Sequence, residues 1–173
     1  LEHTGIRIRN LVVAKYGDRE GLQELIELAA QHGTEVVYMD AGDILFEPET
    51  GASGTFRISC IYPRESDVHA DANEASLVLQ ASIDSFHLLF TGDAGEIAEQ
   101  QMAETGRLDA VDILKVGHHG SRYATSEAFL QYIKPQYAVI SCGKKNRYGH
   151  PHEETLTRLQ AAGAEVYRTD RCG

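Results

Sequence analysis

The sequence predicts a mixed α/β fold, on three observations. Residues 11–39 and 88–168 alternate short apolar runs with segments of helical periodicity, as β-α-β units with parallel strands do. Residues 40–92 hold strand-like runs broken by tight turns, as an antiparallel meander does. Two apolar runs end on glycine and polar residues, Leu88–Asp93 and Val116–Ser121, with a helix of about 95–105 between them. In a parallel β-α-β unit both tips emerge at one edge of the sheet, where open α/β folds place their sites.

At 173 residues the chain reads as one domain, 1–173. A hydrophobic share of 42% and a charged share of 24% are those of a soluble globular chain. No apolar run is long enough to span a membrane, and no signal-peptide pattern opens the chain. The formal net charge of -10 makes a poor general nucleic-acid binder, since phosphate backbones need Lys and Arg. Cys60, Cys142 and Cys172 are odd in number and lack Cys-x-x-Cys spacing, which argues against a disulfide framework or zinc ribbon. They read as small apolar residues.

Residues 1–10 have no helix cap and no clean alternation, as if the chain begins inside a domain. Leu11–Ala14 is a short buried strand. Asp18 is placed to cap a helix whose Leu22, Leu25, Ile26, Leu28 and Ala29 fall at helical spacing and which Gly33 ends. Glu35–Met39 completes a β-α-β unit. Asp40-Ala41-Gly42-Asp43 is a turn, where turn geometry explains both carboxylates. Ile44–Phe46 starts a strand, 48–54 is a second turn, and Thr55–Tyr62 alternates as a half-buried strand. After an acidic loop carrying His69, strands Ala75–Ile83 and Ser85–Phe90 meet at Asp84-Ser85. Beyond helix 95–105 follow strand Asp112–Val116, helix Ser126–Ile133 capped by Thr125 or Ser126, strand Tyr137–Ser141, helix Glu153–Ala162 and strand Glu165–Arg168.

Three clusters carry chemistry. Asp93, after a glycine at a strand end, is either a hard oxygen ligand or the cap of the helix that follows. His118 and His119 lie between Gly117 and Gly120. Adjacent histidines both serve a site only where the backbone turns sharply, and the glycines allow that turn; the alternative is a solvated loop. With Asp93, one or two imidazoles would complete part of a divalent-metal site. The stretch Cys142–His152 is the local basic patch: Lys144, Lys145 and Arg147 suit a phosphate, and Tyr148 suits stacking on a base. Its plain alternative is a solvated loop with Pro151 opening the last helix and His152 in the first turn. His3 and His32 read as surface residues, and His87 as a packed strand residue.

These stretches resemble the metallo-β-lactamase superfamily, and within it the C-terminal domain of ComEC-type DNA-uptake proteins. The likeness rests on Asn73–Leu79, Leu88–Asp93, Leu114–Ser121, Ala138–Ser141, Asn146–Pro151 and Val166–Asp170, in that order, and covers about 73 to the end. It implies an αββα sandwich, incomplete at its N-terminus, with two metal ions at its mouth, zinc or manganese. It implies Asp93 as a bridging ligand and His118 or His119 as a late imidazole ligand; the sequence leaves open which. It implies His150 as a phosphate contact or general acid, and Ser121, Lys144, Asn146, Arg147 and Tyr148 as substrate contacts. The superfamily's His-x-His-x-Asp-His motif is absent from this chain. The expectation is therefore a fragment with weak metal affinity and no activity of its own. For an intact domain it is a nuclease-like phosphodiester hydrolase acting on DNA, tethered to a membrane channel protein. The alternatives are a stand-alone hydrolase of a small ester or phosphoester, and a metal-free scaffold.

Overall fold

The structure is a computed structural model and describes residues 6–17, 20–47, 56–106, 108 and 110–172. The expected Asp18 cap, His3, the turn at 48–54 and the side chain of Cys172 lie outside the described residues.

Strands β1 (Asn10–Ala14) and β2 (Glu35–Met39) pair in parallel around helix α1 (Gln23–Gln31), as the first β-α-β pattern predicts. The larger sheet has seven strands in sequence order: β3 (Ile44–Phe46), β4 (Phe56–Tyr62), β5 (Val78–Ile83), β6 (Phe86–Phe90), β7 (Ile113–Lys115), β8 (Tyr137–Ile140) and β9 (Glu165–Arg168). Strands β3 to β6 run antiparallel, the predicted meander. Strands β6 to β9 run parallel, joined by α2 (Glu96–Glu104), α3 (Glu127–Ile133) and α4 (Glu153–Ala161). Right-handed crossovers that step one way along a sheet put all three helices on the same face.

The core lies under those helices. Val78, Leu89, Leu114, Ala138 and Ile140 of the sheet meet Ala98, Met102, Phe129, Leu130 and Leu159 of the helices. On the other face, the pairs Phe56–Ile83, Ile83–Phe86 and Leu79–Phe90 line up an apolar surface that stays partly exposed. The result is a mixed α/β fold with a large sheet flanked by helices. No helix among the described residues is long and apolar enough to cross a membrane.

Three expectations shift. Strand β5 starts at Val78 rather than Ala75, because the Asp71 carboxylate accepts the N–H groups of Asn73 (2.8 Å) and Glu74 (2.9 Å) and holds that stretch in turns. Helix α4 takes His152 as its N-cap, so Pro151 precedes the helix instead of opening it. Helix α1 has the predicted apolar stripe but no buried residue.

Candidate active site

Parallel pairing of β6, β7 and β8 brings three polar tips to one edge. The first is the turn after β6. Buried Thr91 ties it down: its Oγ1 donates to the Lys115 carbonyl (2.9 Å), and its own carbonyl accepts Ala94 N–H (3.0 Å). Gly92 sits at φ 56°, and a Cβ there would lie 3.1 Å from the Ser76 Cβ. Asp93 N–H donates to Ser76 Oγ (3.1 Å). The Asp93 carboxylate is not the cap of α2. The N-cap is Gly95, without a side-chain cap bond, and Glu74 from before β5 takes Ala98 N–H instead (2.8 Å). A carboxylate at a helix N-terminus is stabilised by the exposed N–H groups and the helix dipole. Gly95 makes room for Glu74: a Cβ would meet its Oε1 at 2.3 Å. Asp93 is thereby left with its side chain 41% exposed and facing the edge.

The second tip is the double-histidine turn. His118 and His119 both adopt the left-handed region, at φ 45° and 55°, which costs a non-glycine residue energy. His118 N–H donates to the Gly92 carbonyl (3.1 Å), locking this turn to that of Asp93. His119 Nδ1 lies 2.7 Å from the Ser141 carbonyl at the end of β8, so it carries the proton. In neutral His119 the lone pair is then on Nε2, which stands 3.6 Å from Asp93 Oδ1. A backbone carbonyl that fixes the tautomer and leaves Nε2 free is the usual support of a metal-ligating histidine. Among the described residues no group of three or more His, Cys, Asp or Glu forms a metal cage. Asp93 Oδ1 and His119 Nε2 are two donors of the kinds that a divalent ion takes, one oxygen and one imidazole nitrogen.

The third tip is the loop after β8. His150 is its centre: ring centroids of His118, His119, Tyr148 and His152 lie 5.7, 6.4, 5.7 and 4.8 Å away. Burial first, then repulsion from those imidazoles, holds its pKa below the ordinary histidine value, with Asp93 opposing. Arg147 lies over the Tyr148 ring at 4.8 Å and donates to its hydroxyl (2.6 Å). Lys144 and Tyr148 are exposed on this loop.

Two predicted contacts sit elsewhere than expected. Ser121 is buried and its Oγ accepts Tyr123 N–H (3.4 Å), so the hydroxyl lies beneath the turn. The Asn146 amide is engaged with the backbone of its own loop. His69 stays away from the site, bonded to Tyr62 and the Arg64 carbonyl.

Sequence reasoning missed three residues. Ser76 and Glu74 have no local signal for their roles, because their partners lie 17 and 24 positions away. Lys115 had one, a charge inside an apolar strand. It shares a sheet row with Phe90 and Val139, and its Nζ turns to the Val116 carbonyl (2.8 Å), just before the histidine turn. Burial lowers its pKa, and Asp93 opposes that shift.

No protein-family model matches the chain. ComE operon protein 3 of Bacillus subtilis (strain 168) is 33% identical over 168 residues, covering 96% of this chain and 21% of that protein. Competence protein ComA of Neisseria gonorrhoeae is 38% identical over 105 residues, 60% of this chain and 15% of that protein. Recombination protein 2 of Haemophilus influenzae is 38% identical over 97 residues, 56% of this chain and 12% of that protein. The chain thus spans about a fifth or less of the length of these curated relatives. Among solved structures, a Parabacteroides distasonis protein named as a metal-dependent hydrolase superposes with a TM-score of 0.52 at 12% identity, covering 95% of this chain and 78% of that one. At that identity the likeness is one of fold.

Proposed function

We propose that this chain, which is homologous to a segment of the ComEC-type competence proteins, contributes half of a metal-dependent phosphodiester-hydrolase site acting on DNA during uptake. One observation carries the reading. On two parallel strand tips, His119 Nε2 and Asp93 Oδ1 face each other at 3.6 Å, while His119 Nδ1 is committed to a carbonyl. Two acceptors held face to face suit a cation between them, and Asp93 has no capping role to explain it.

Asp93 and His119 would hold zinc or manganese, with His118 beside them. When bound, such an ion supplies a water of lowered pKa and polarises the phosphoryl group. The chain's own residues do the rest. Lys144 and Arg147 attract the phosphate electrostatically, which concentrates positive charge on a chain of net charge -10. Tyr148 is exposed, with Arg147 over its ring and His150 stacked near it, so a base would reach the ring by displacing Arg147. Burial, then the neighbouring imidazoles, lower the pKa of His150 and so favour its neutral form. An arriving phosphodiester anion favours the imidazolium, so that His150 takes a proton from solvent and gives it to the leaving oxygen as the P–O bond to that oxygen breaks. Meanwhile the attacking water bonds to phosphorus and releases its own proton to solvent.

The test is Mn- or Zn-dependent cleavage of single-stranded DNA by the full-length protein carrying this chain, beside Asp93→Ala. Cleavage lost in the variant is the expected result; equal cleavage in both would overturn the mechanism. The net negative charge favours a second substrate, a small phosphodiester. A chromogenic phosphodiester in the same assay separates the two.

A further inference from the structure

The side chain of Asn146 has three partners, all of them main chain. Its Nδ2 donates to the carbonyls of Gly143 (2.8 Å) and His150 (2.6 Å), and its Oδ1 accepts the His150 N–H (2.9 Å). Both donors of the amide are used, and one acceptor site as well. Residues 143–150 are closed into a ring through this one side chain, and His150 is gripped at both of its backbone polar groups. The next residue is fixed from another side. Gly120 packs so closely on Pro151 that a Cβ would lie 2.5 Å from the proline Cβ, and His152 N–H donates to the Gly120 carbonyl (2.9 Å). The His150 backbone is thus determined on both sides, against the turn that carries His118 and His119. Holding a phosphate with Asn146 would break two bonds to carbonyls: the Gly143 carbonyl would keep only the Asn146 main-chain N–H (3.2 Å), and the His150 carbonyl would lose its side-chain donor.

We infer that Asn146 is a positioning residue, which sets the His150 imidazole against the Asp93–His119 pair and does not itself hold phosphate. The inference rests on the hydrolase reading above for its kinetic consequence, but not for its structural one. In the full-length protein, Asn146→Ala should lower kcat about 10²-fold with KM within about twofold, the penalty of a reacting group misplaced by about 1 Å. The double variant with His150→Ala should be no slower than His150→Ala alone, because both changes remove the same contribution. A raised KM with unchanged kcat, or losses that multiply, would assign Asn146 to the substrate and overturn the proposal. The second readout needs no turnover: the imidazole ¹⁵N resonances of His150 should shift and broaden in Asn146→Ala while those of His32 stay in place. Shifted resonances in a protein that cleaves nothing would remove the hydrolase reading and keep the placement. Unshifted resonances in an active protein would do the reverse. Should Asn146→Ala fold poorly, the isosteric Asn146→Asp keeps the acceptor and loses both donors. A fall in kcat supports the proposal there, and wild-type kcat overturns it.

Discussion

The chain contains two β-α-β units of the same grammar, β1–α1–β2 and β6–α2–β7, and they end differently. At the tips of the first, Tyr16 donates to Asp40 (2.9 Å) and Lys15 pairs with the same carboxylate (3.5 Å). Those groups satisfy one another. At the tips of the second, Asp93 and His119 approach to 3.6 Å without a hydrogen bond, and both retain free acceptor capacity. The helices differ in the same way. Helix α1 buries nothing, with Leu25 and Leu28 43% and 45% exposed, whereas α2 buries Ala98, Glu99 and Met102. A site needs rigid support, and the unit with the buried helix is the one that carries unsatisfied polar tips.

The largest expected contrast is between the two tip carboxylates. Asp93→Ala should cut Mn-dependent hydrolysis by the full-length protein about 10³-fold, or about 4 kcal/mol of transition-state stabilisation. Asp40→Ala should leave it within about twofold. Comparable losses in a steady-state assay would erase the distinction between the two units. The helices give the next contrast. Met102→Ala removes a fully buried side chain and should cost about 2–5 kcal/mol in urea unfolding. Leu28→Ala, on the exposed helix, should cost less than about 1 kcal/mol.

A third prediction concerns Glu99 on α2. Its carboxylate is buried and accepts the N–H groups of Thr125 and Ser126. Burial, opposed by those bonds, pushes its pKa up to about 7. A folded pKa above the unfolded one means the native state holds a proton that the unfolded state has released. The contribution is fully present below the ordinary carboxylate range and is lost as pH rises to about 7, by about 3 kcal/mol at most. Denaturation midpoints of the wild type should therefore fall between pH 5 and 8 by more than those of Glu99→Gln; parallel profiles would contradict this. The smallest effect separates the histidines. By titration calorimetry with Mn or Zn, His119→Ala should weaken binding about 10- to 100-fold more than His118→Ala. Equal losses would dissolve the assignment based on the Ser141 carbonyl.

Much of this was legible in the chain because its signals are local. Helix α2, expected over 95–105, spans Glu96–Glu104, and β9 has the expected limits, since Gly95 and Gly106 bracket the helix and Gly163 lies just before the strand. Ser126, one of two candidate caps, accepts Phe129 N–H as an N-cap should. Strand β5 was misjudged at its start because a carboxylate in the preceding loop outcompetes the ladder for two N–H groups. The stripe on α1 was read correctly, but periodicity does not say how much of a face becomes covered.

The sequence by itself determined which residues stand at strand tips: Asp93, His118 and His119, and the 142–152 loop. Apolar runs that end on glycine fix those positions through backbone preference alone. Only the tertiary structure decided what each tip does. Asp93 is free because Glu74, 24 residues from Ala98, caps the helix in its place. His119 rather than His118 presents a lone pair to it because Ser141, 22 residues on, takes the other ring proton. A side chain's chemistry is set by which of its polar atoms are already bonded, and those partners meet only when the sheet brings β5, β6, β7 and β8 together.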